Sequence, residues 1–182
     1  MLEDKEIVLR FREGEEEAFR ELYDKYAGYA LRVAAAVTKR KASAADAVQE
    51  TFIRVYKNIK SYDINQPFKP WFYKILINEC NRLMKNVFRT IYFSDYFNNS
   101  PNEAYEDNHR ILEHEELYEA IKGLKIIHRL PLILKYLNDF TENEIADILE
   151  LNLNTVKSRL FKGRKKLREA LEKQEERRRF HG

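Results

Sequence analysis

The sequence predicts an all-α fold: two small helical domains joined by a flexible acidic linker, the second containing a helix-turn-helix. Three observations predict it. Only five Gly and four Pro occur in 182 residues that are 35% charged, so long runs of good helix formers leave strands little support beyond a short aromatic run at Ile91 to Phe93. Charge is blocked along the chain: residues 57–90 hold seven basic and two acidic side chains, residues 94–120 one basic and eight acidic, and residues 153–182 eleven Lys or Arg against four Glu, within a total net charge of only +3. Residues 141–167 carry two short apolar stripes separated by a polar bridge, the spacing of paired helices around a turn. The predicted boundaries are 1–90 for the first domain, 91–112 for the linker and 113–182 for the second domain.

The first helix is expected to end near Gly14. The second places Phe19, Leu22, Tyr23, Tyr26, Ala30, Val33 and Val37 at three-and-four spacing, a core-facing stripe, and closes on Lys39, Arg40 and Lys41, cations where the helix dipole is negative. Ser43 and Asp46 resemble a capping pair for a third helix. Its apolar face is Val48, Phe52, Val55 and Ile59; Asp46, Gln49, Glu50, Ile53, Arg54 and Lys57 lie off that stripe. Asn65, Gln66, Pro67 and Pro70 break the pattern, and Phe72, Leu76, Leu83 and Val87 mark a fourth helix. Residues 92–110 have no period and are rich in Asn and acid, as a linker is. Helical spacing resumes at Ile111 and Leu112 and runs through Leu117, Ile121, Leu124, Ile127, Ile133, Leu134 and Leu137.

In the helix-turn-helix, Thr141 caps the first member, with Glu144 reaching back to the capping amide, and Ile145, Ile148 and Leu149 give it one apolar face. Asn152 caps the second member. There Val156, Leu160, Leu167 and Leu171 form a single stripe, which turns Lys157, Ser158, Phe161, Lys162 and Lys165 outward. A basic helix presented in this way suits a duplex major groove, and the positive C-terminal charge suits phosphates. Between Tyr56 and Lys74 a second constellation interleaves Tyr56, Tyr62, Phe68, Trp71, Phe72 and Tyr73 with Lys57, Lys60, Lys69 and Lys74. Rings stack on unpaired bases and cations hold phosphates, so this composition suits single-stranded or melted nucleic acid, although Phe72 and Trp71 also fit a helix core.

Other classes of function find little support. No glycine-rich phosphate loop, metal-spaced Cys or His cluster, or nucleophile elbow is present, so neither catalytic residues, metal, cofactor nor small-molecule substrate is expected. Cys80 stands alone among apolar helix positions, as a buried small hydrophobe does. No stretch approaches the roughly 20 apolar residues of a membrane span, and the acidic N-terminus does not read as a signal peptide, which predicts a cytoplasmic protein.

Taken in order, several pieces resemble one family. The run from Asp46 to Tyr56 (DAVQETFIRVY), Phe68 and Trp71 to Ile75 before Asn78, the segment Leu124 to Tyr136, and Thr155 to Arg164 (TVKSRLFKGR) with Leu167 look like a bacterial RNA polymerase sigma factor of the short extracytoplasmic-function group. The resemblance spans roughly residues 5–172. It implies that Asp46, Gln49, Glu50, Ile53 and Arg54 dock on the polymerase core. It implies that Lys57, Lys60, Tyr62, Asn65, Gln66, Phe68, Lys69, Trp71, Tyr73, Lys74, Asn78 and Arg82 open and read the minus-ten promoter element. Lys157, Ser158, Phe161, Lys162 and Lys165 would face the minus-35 element, with Asn154, Thr155, Arg159 and Arg164 near phosphates. The implied partners are polymerase core, promoter DNA and an anti-sigma protein, which could hold the chain at a membrane. Three positions depart from the family pattern: Arg82 stands for a usual Asp, with Lys85 for Arg; Lys125 replaces the start of a Leu-Pro pair; and Asn154 replaces a Gly, a change tolerated because Asn accepts unusual backbone angles.

Read from the residues, other functions stay open. A conventional helix-turn-helix regulator needs only the C-terminal half. A single-strand binder needs only the first, and a nucleic-acid enzyme needs an acid/base or metal site.

Overall fold

The computed structural model describes residues 2–93 and 115–181. Among these the chain forms helices α1 (Leu2–Arg12), α2 (Glu16–Thr38), α3 (Lys41–Asn58), a 3-10 turn (Ile59–Ser61), α4 (Phe68–Phe93), α5 (Glu115–Gly123), α6 (Ile126–Tyr136), α7 (Glu142–Leu149) and α8 (Leu153–His181). No strand occurs among the described residues, and the aromatic run at 91–93 is the last turn of α4. The rest of the expected linker lies outside the described residues. The helices divide into two compact units, the first built on α1 to α4 with Asp147–Leu149 of α7, the second on α5, α6, α8 and the rest of α7.

In the first unit, Gly14 takes φ 100 between α1 and α2, a left-handed conformation that costs glycine nothing. Ion pairs hold α1 and α2 together: Lys25 reaches Glu3 and Asp4 at 2.9 Å, the Tyr26 hydroxyl donates to Asp4 at 2.9 Å, and Arg10 bridges Glu15 and Glu21. The helix α2 ends on Lys39 in a left-handed conformation, its N–H donating to Ala35 O at 2.9 Å. The expected capping pair Ser43 and Asp46 is not formed. Lys41 already opens α3, and Ser43 and Asp46 fall inside the helix. The side chain just before α3 that does engage the backbone is Thr38, whose hydroxyl donates to Ala34 O and accepts from the Arg40 N–H.

The α2 stripe is partly corrected. Leu22, Tyr26, Ala30, Val33 and Val37 are buried, but Phe19 is half-buried and Tyr23 is 48% exposed; both rings pack on Phe52 of α3 and line an open groove. On α4, Phe72 and Leu76 are fully buried and Leu83 is half-buried. Pro67 precedes α4 and Pro70 sits in its first turn, where a missing N–H leaves no hydrogen bond unmade. A continuous chain of ring contacts runs from Phe19 through Phe52, Phe72, Tyr26, Phe68 and Tyr62 to Trp71, with centroid separations of 6.1, 5.2, 5.0, 5.4, 5.8 and 4.7 Å. Each such pair adds about 0.5–1.5 kcal/mol beyond its buried area, which makes this aromatic spine the rigid element under the loop.

In the second unit the stripe predicted as continuous breaks at Leu124 and Lys125 into α5 and α6. Lys125 precedes α6 in extended geometry, and its carbonyl accepts from the His128 and Arg129 N–H groups at 2.9 and 3.0 Å. Val156 and Leu160 of α8 are fully buried, and Gly163 continues their stripe. A Cβ at Gly163 would stand 3.1 Å from Leu132 Cδ1 and 3.2 Å from His128 O, so glycine permits the close approach of α8 to α6.

Candidate nucleic-acid interface

The helix-turn-helix is capped as its sequence predicts. The Thr141 N–H donates to Glu144 Oε2 at 2.8 Å, the Glu144 N–H donates to Thr141 Oγ1 at 3.3 Å, and Asn152 Oδ1 accepts from the Thr155 N–H at 2.8 Å. The turn itself differs. Its left-handed residue is Glu150 at φ 54, and the Leu151 N–H donates to Ala146 O at 2.9 Å, a Schellman closure of α7. Asn154 lies inside the first turn of α8, so the tolerance for unusual angles expected of it is not drawn upon.

Because Val156, Leu160 and Gly163 face inward, the other side of α8 faces solvent. Asn154, Lys157, Ser158, Lys162, Arg164 and Lys165 are exposed, while Thr155 and Arg159 are half-buried. Phe161 is 65% exposed, an apolar ring set among cations. Arg164 donates through Nη1 to the Tyr136 hydroxyl at 3.2 Å, which fixes it beside the end of α6. The nine predicted residues therefore share one helix, and a groove-sized basic surface results.

The aromatic and basic constellation is sorted by burial. Tyr62, Phe68 and Tyr73 are 5%, 4% and 1% exposed, so these three predicted base-contacting rings belong to the core and the spine; their π faces are already used. Trp71 is half-buried and packs on Tyr62 at 4.7 Å and Phe68 at 5.7 Å. Around it Lys60, Asn65 and Gln66 are exposed and Lys69 and Lys74 half-buried, with Asn78 exposed farther along α4. The loop is held by local bonds. The Asn65 N–H donates to Asp63 Oδ1 at 3.0 Å, the Gln66 N–H to Asp63 O at 3.0 Å, and the Tyr62 hydroxyl to Gln66 O. Arg12 clamps it from α1, donating through Nε to Ile59 O at 2.8 Å with its guanidinium 5.8 Å from the Tyr62 ring centre. Burial raises the Tyr62 phenol above its ordinary range, against the opposing Arg12 charge, so it remains a neutral donor.

On α3, Asp46, Gln49, Ile53 and Arg54 are exposed and Glu50 is half-buried. Gln49 and Ile53 line an open apolar groove of about 720 Å³ between α2 and α3, walled by Phe19, Tyr23, Phe52 and Tyr56. Lys57, expected with the minus-ten group, lines this groove as well. The sequence did not single out Phe19, Tyr23 and Tyr56 as a wall, because they carry the same helical spacing as core residues. Also missed was Glu79, whose carboxylate takes Arg54 from α3 and Arg82 from α4. Its three-residue spacing from Arg82 is visible in the sequence; the contact to Arg54 is not.

Comparison with known proteins gives two family matches in series: Sigma-70 region 2 over residues 22–88 and Sigma-70, region 4 over residues 114–167. The chain is 29% identical over 185 residues to the ECF RNA polymerase sigma factor SigW of Bacillus subtilis, covering 92% of this chain and 96% of that one. It is 27% identical to the ECF RNA polymerase sigma-E factor of Escherichia coli, covering 90% and 91%. The fold resembles the sigma factor RpoE solved with the anti-sigma factor NepR from Bartonella quintana, at TM-score 0.74 and 24% identity over 85% of this chain and 96% of that one. It also resembles CnrH solved with the cytosolic domain of CnrY, at TM-score 0.68 and 21% identity over 93% and 97%.

Proposed function

The chain belongs to the sigma-70 family, in its extracytoplasmic-function group, and from that premise we propose that it binds RNA polymerase core and directs promoter-specific initiation of transcription. The observation that carries this is the succession of the two family regions in one chain. A conventional helix-turn-helix regulator has no use for the first.

In this reading the face of α3 bearing Asp46, Gln49, Glu50, Ile53 and Arg54, with its apolar groove, docks on the core. The loop from Lys60 to Lys74 opens the minus-ten element. Pulling a base from the stack costs a few kcal/mol, and stacking on an aromatic ring returns about 1–3 kcal/mol per base. One accessible ring beside several cations therefore offsets part of that cost, and Trp71 is the half-exposed ring of this segment. Tyr62, Phe68 and Tyr73 act beneath it as support. The basic face of α8 reads the minus-35 element as duplex, with Lys157, Ser158, Phe161, Lys162 and Lys165 toward the bases and Asn154, Thr155, Arg159 and Arg164 toward the backbone.

The protein needs no catalytic residue or cofactor of its own, since the polymerase performs the chemistry. It works in the cytoplasm, and by analogy with its structural relatives its regulator is an anti-sigma protein. The test is co-elution with purified core polymerase followed by transcription from a fragment library. Discrete new transcripts from the complex are expected. Duplex binding without core binding would instead establish a conventional regulator.

A further inference from the structure

Glu79 is a carboxylate in an unusual position. Its side chain is 5% exposed, yet it lies between Arg54 on α3 and Arg82 on α4, whose side chains are 47% and 44% exposed. One carboxylate oxygen meets Arg54 Nε and the other accepts from Arg82 Nε at 2.7 Å. A buried carboxylate without partners would be strongly disfavoured; here an arginine pairs with each of its two oxygens. Each arginine meets Glu79 through its Nε edge, and among the described residues the Nη edge of Arg54 makes no other ion pair or side-chain hydrogen bond. That edge is the planar fork that takes a carboxylate in two parallel hydrogen bonds. A long, flexible arginine on an exposed helix face would ordinarily lose rotamer freedom on docking; one already pinned at its inner edge loses less.

We propose that Glu79 is a positioning residue for polymerase docking: it holds Arg54 by the inner edge and presents the outer fork to an acidic group of the core. This rests on the reading of the chain as a polymerase subunit. It also assigns α4 a part in the docking surface, although α4 otherwise belongs to the DNA-facing loop. Arg82 completes the pair of cations that holds the buried carboxylate in place.

The experiment is a double-mutant cycle on affinity for purified core polymerase, using the full chain and thermal melting to confirm that each variant is folded. Glu79→Gln keeps the shape and removes the charge; it is expected to weaken core binding about five- to tenfold. Arg54→Ala is expected to lose a similar factor, and the double variant no more than either alone, because Glu79 acts through Arg54. Multiplicative losses, or wild-type affinity for Glu79→Gln, would overturn the proposal. Should Glu79→Gln fail to fold, Arg54→Lys decides: it keeps the cation but not the fork, and binding as tight as wild type would refute presentation of the fork. Failure of the wild-type chain to bind core is a different outcome and would overturn the function itself.

Discussion

At Cys80 the thiol is fully buried next to the Glu79 backbone, and burial, reinforced by the Glu79 charge, pushes its pKa up to about 12. The raised value means the folded state favours the neutral thiol. Its contribution is fully present below the ordinary thiol pKa and is lost as pH climbs through that value toward 12. Near neutrality, Cys80 should resist a thiol-specific reagent in the native protein and react at once in denaturant; rapid native labelling would contradict its burial. The glycines make a paired test. Gly163→Ala places a Cβ 3.2 Å from a backbone oxygen of α6 that cannot rotate away, whereas at Gly28 nothing lies within 4 Å. Overpacking costs about 1–3 kcal/mol and the gain in helix propensity returns about 1 kcal/mol. Thermal melts should therefore show Gly163→Ala lowered and Gly28→Ala raised.

Among the elements, α7 and α8 are short-range constructions whose ends are stabilised by side chains from the same few residues. Asn152 satisfies one N–H of α8, and its replacement by Ala should cost about 1 kcal/mol in denaturant unfolding. Asn152→Ala should therefore lower the unfolding midpoint. If the substitution were neutral, the turn in solution would differ from the one described. On α4 the element is decided by tertiary neighbours: Phe68, Phe72 and Tyr73 fill the core, while Trp71 is half-buried at its edge.

Over the whole molecule, the proposed function assigns two binding tasks to different parts of the chain. Trp71→Ala should impair promoter opening, read as permanganate reactivity of unpaired thymines in the polymerase complex, with little effect on affinity for upstream duplex. Lys162→Ala should weaken duplex binding and lower its salt slope by about 1, the signature of one lost phosphate contact. Equal loss of duplex affinity for both variants would refute the division of labour.

Much of this was legible in the residues themselves. Composition and period determined the all-α class. The capping box at Thr141 and Glu144, the cap at Asn152 and the apolar stripe of α8 are local patterns, so the outward basic face followed from spacing alone. The rings between Tyr62 and Tyr73 could not be sorted this way, because stacking surfaces and core residues are built from the same side chains, and only packing around Phe68 and Phe72 decided which stay available. The same holds for the α2 and α3 groove, where Tyr23 keeps the helical spacing of a buried residue but packs on Phe52 at the wall of an open groove. Glu79 is the clearest case: its partner Arg54 lies 25 residues away on another helix, and a carboxylate is held by whatever cations the fold brings within reach, which only the tertiary structure decides.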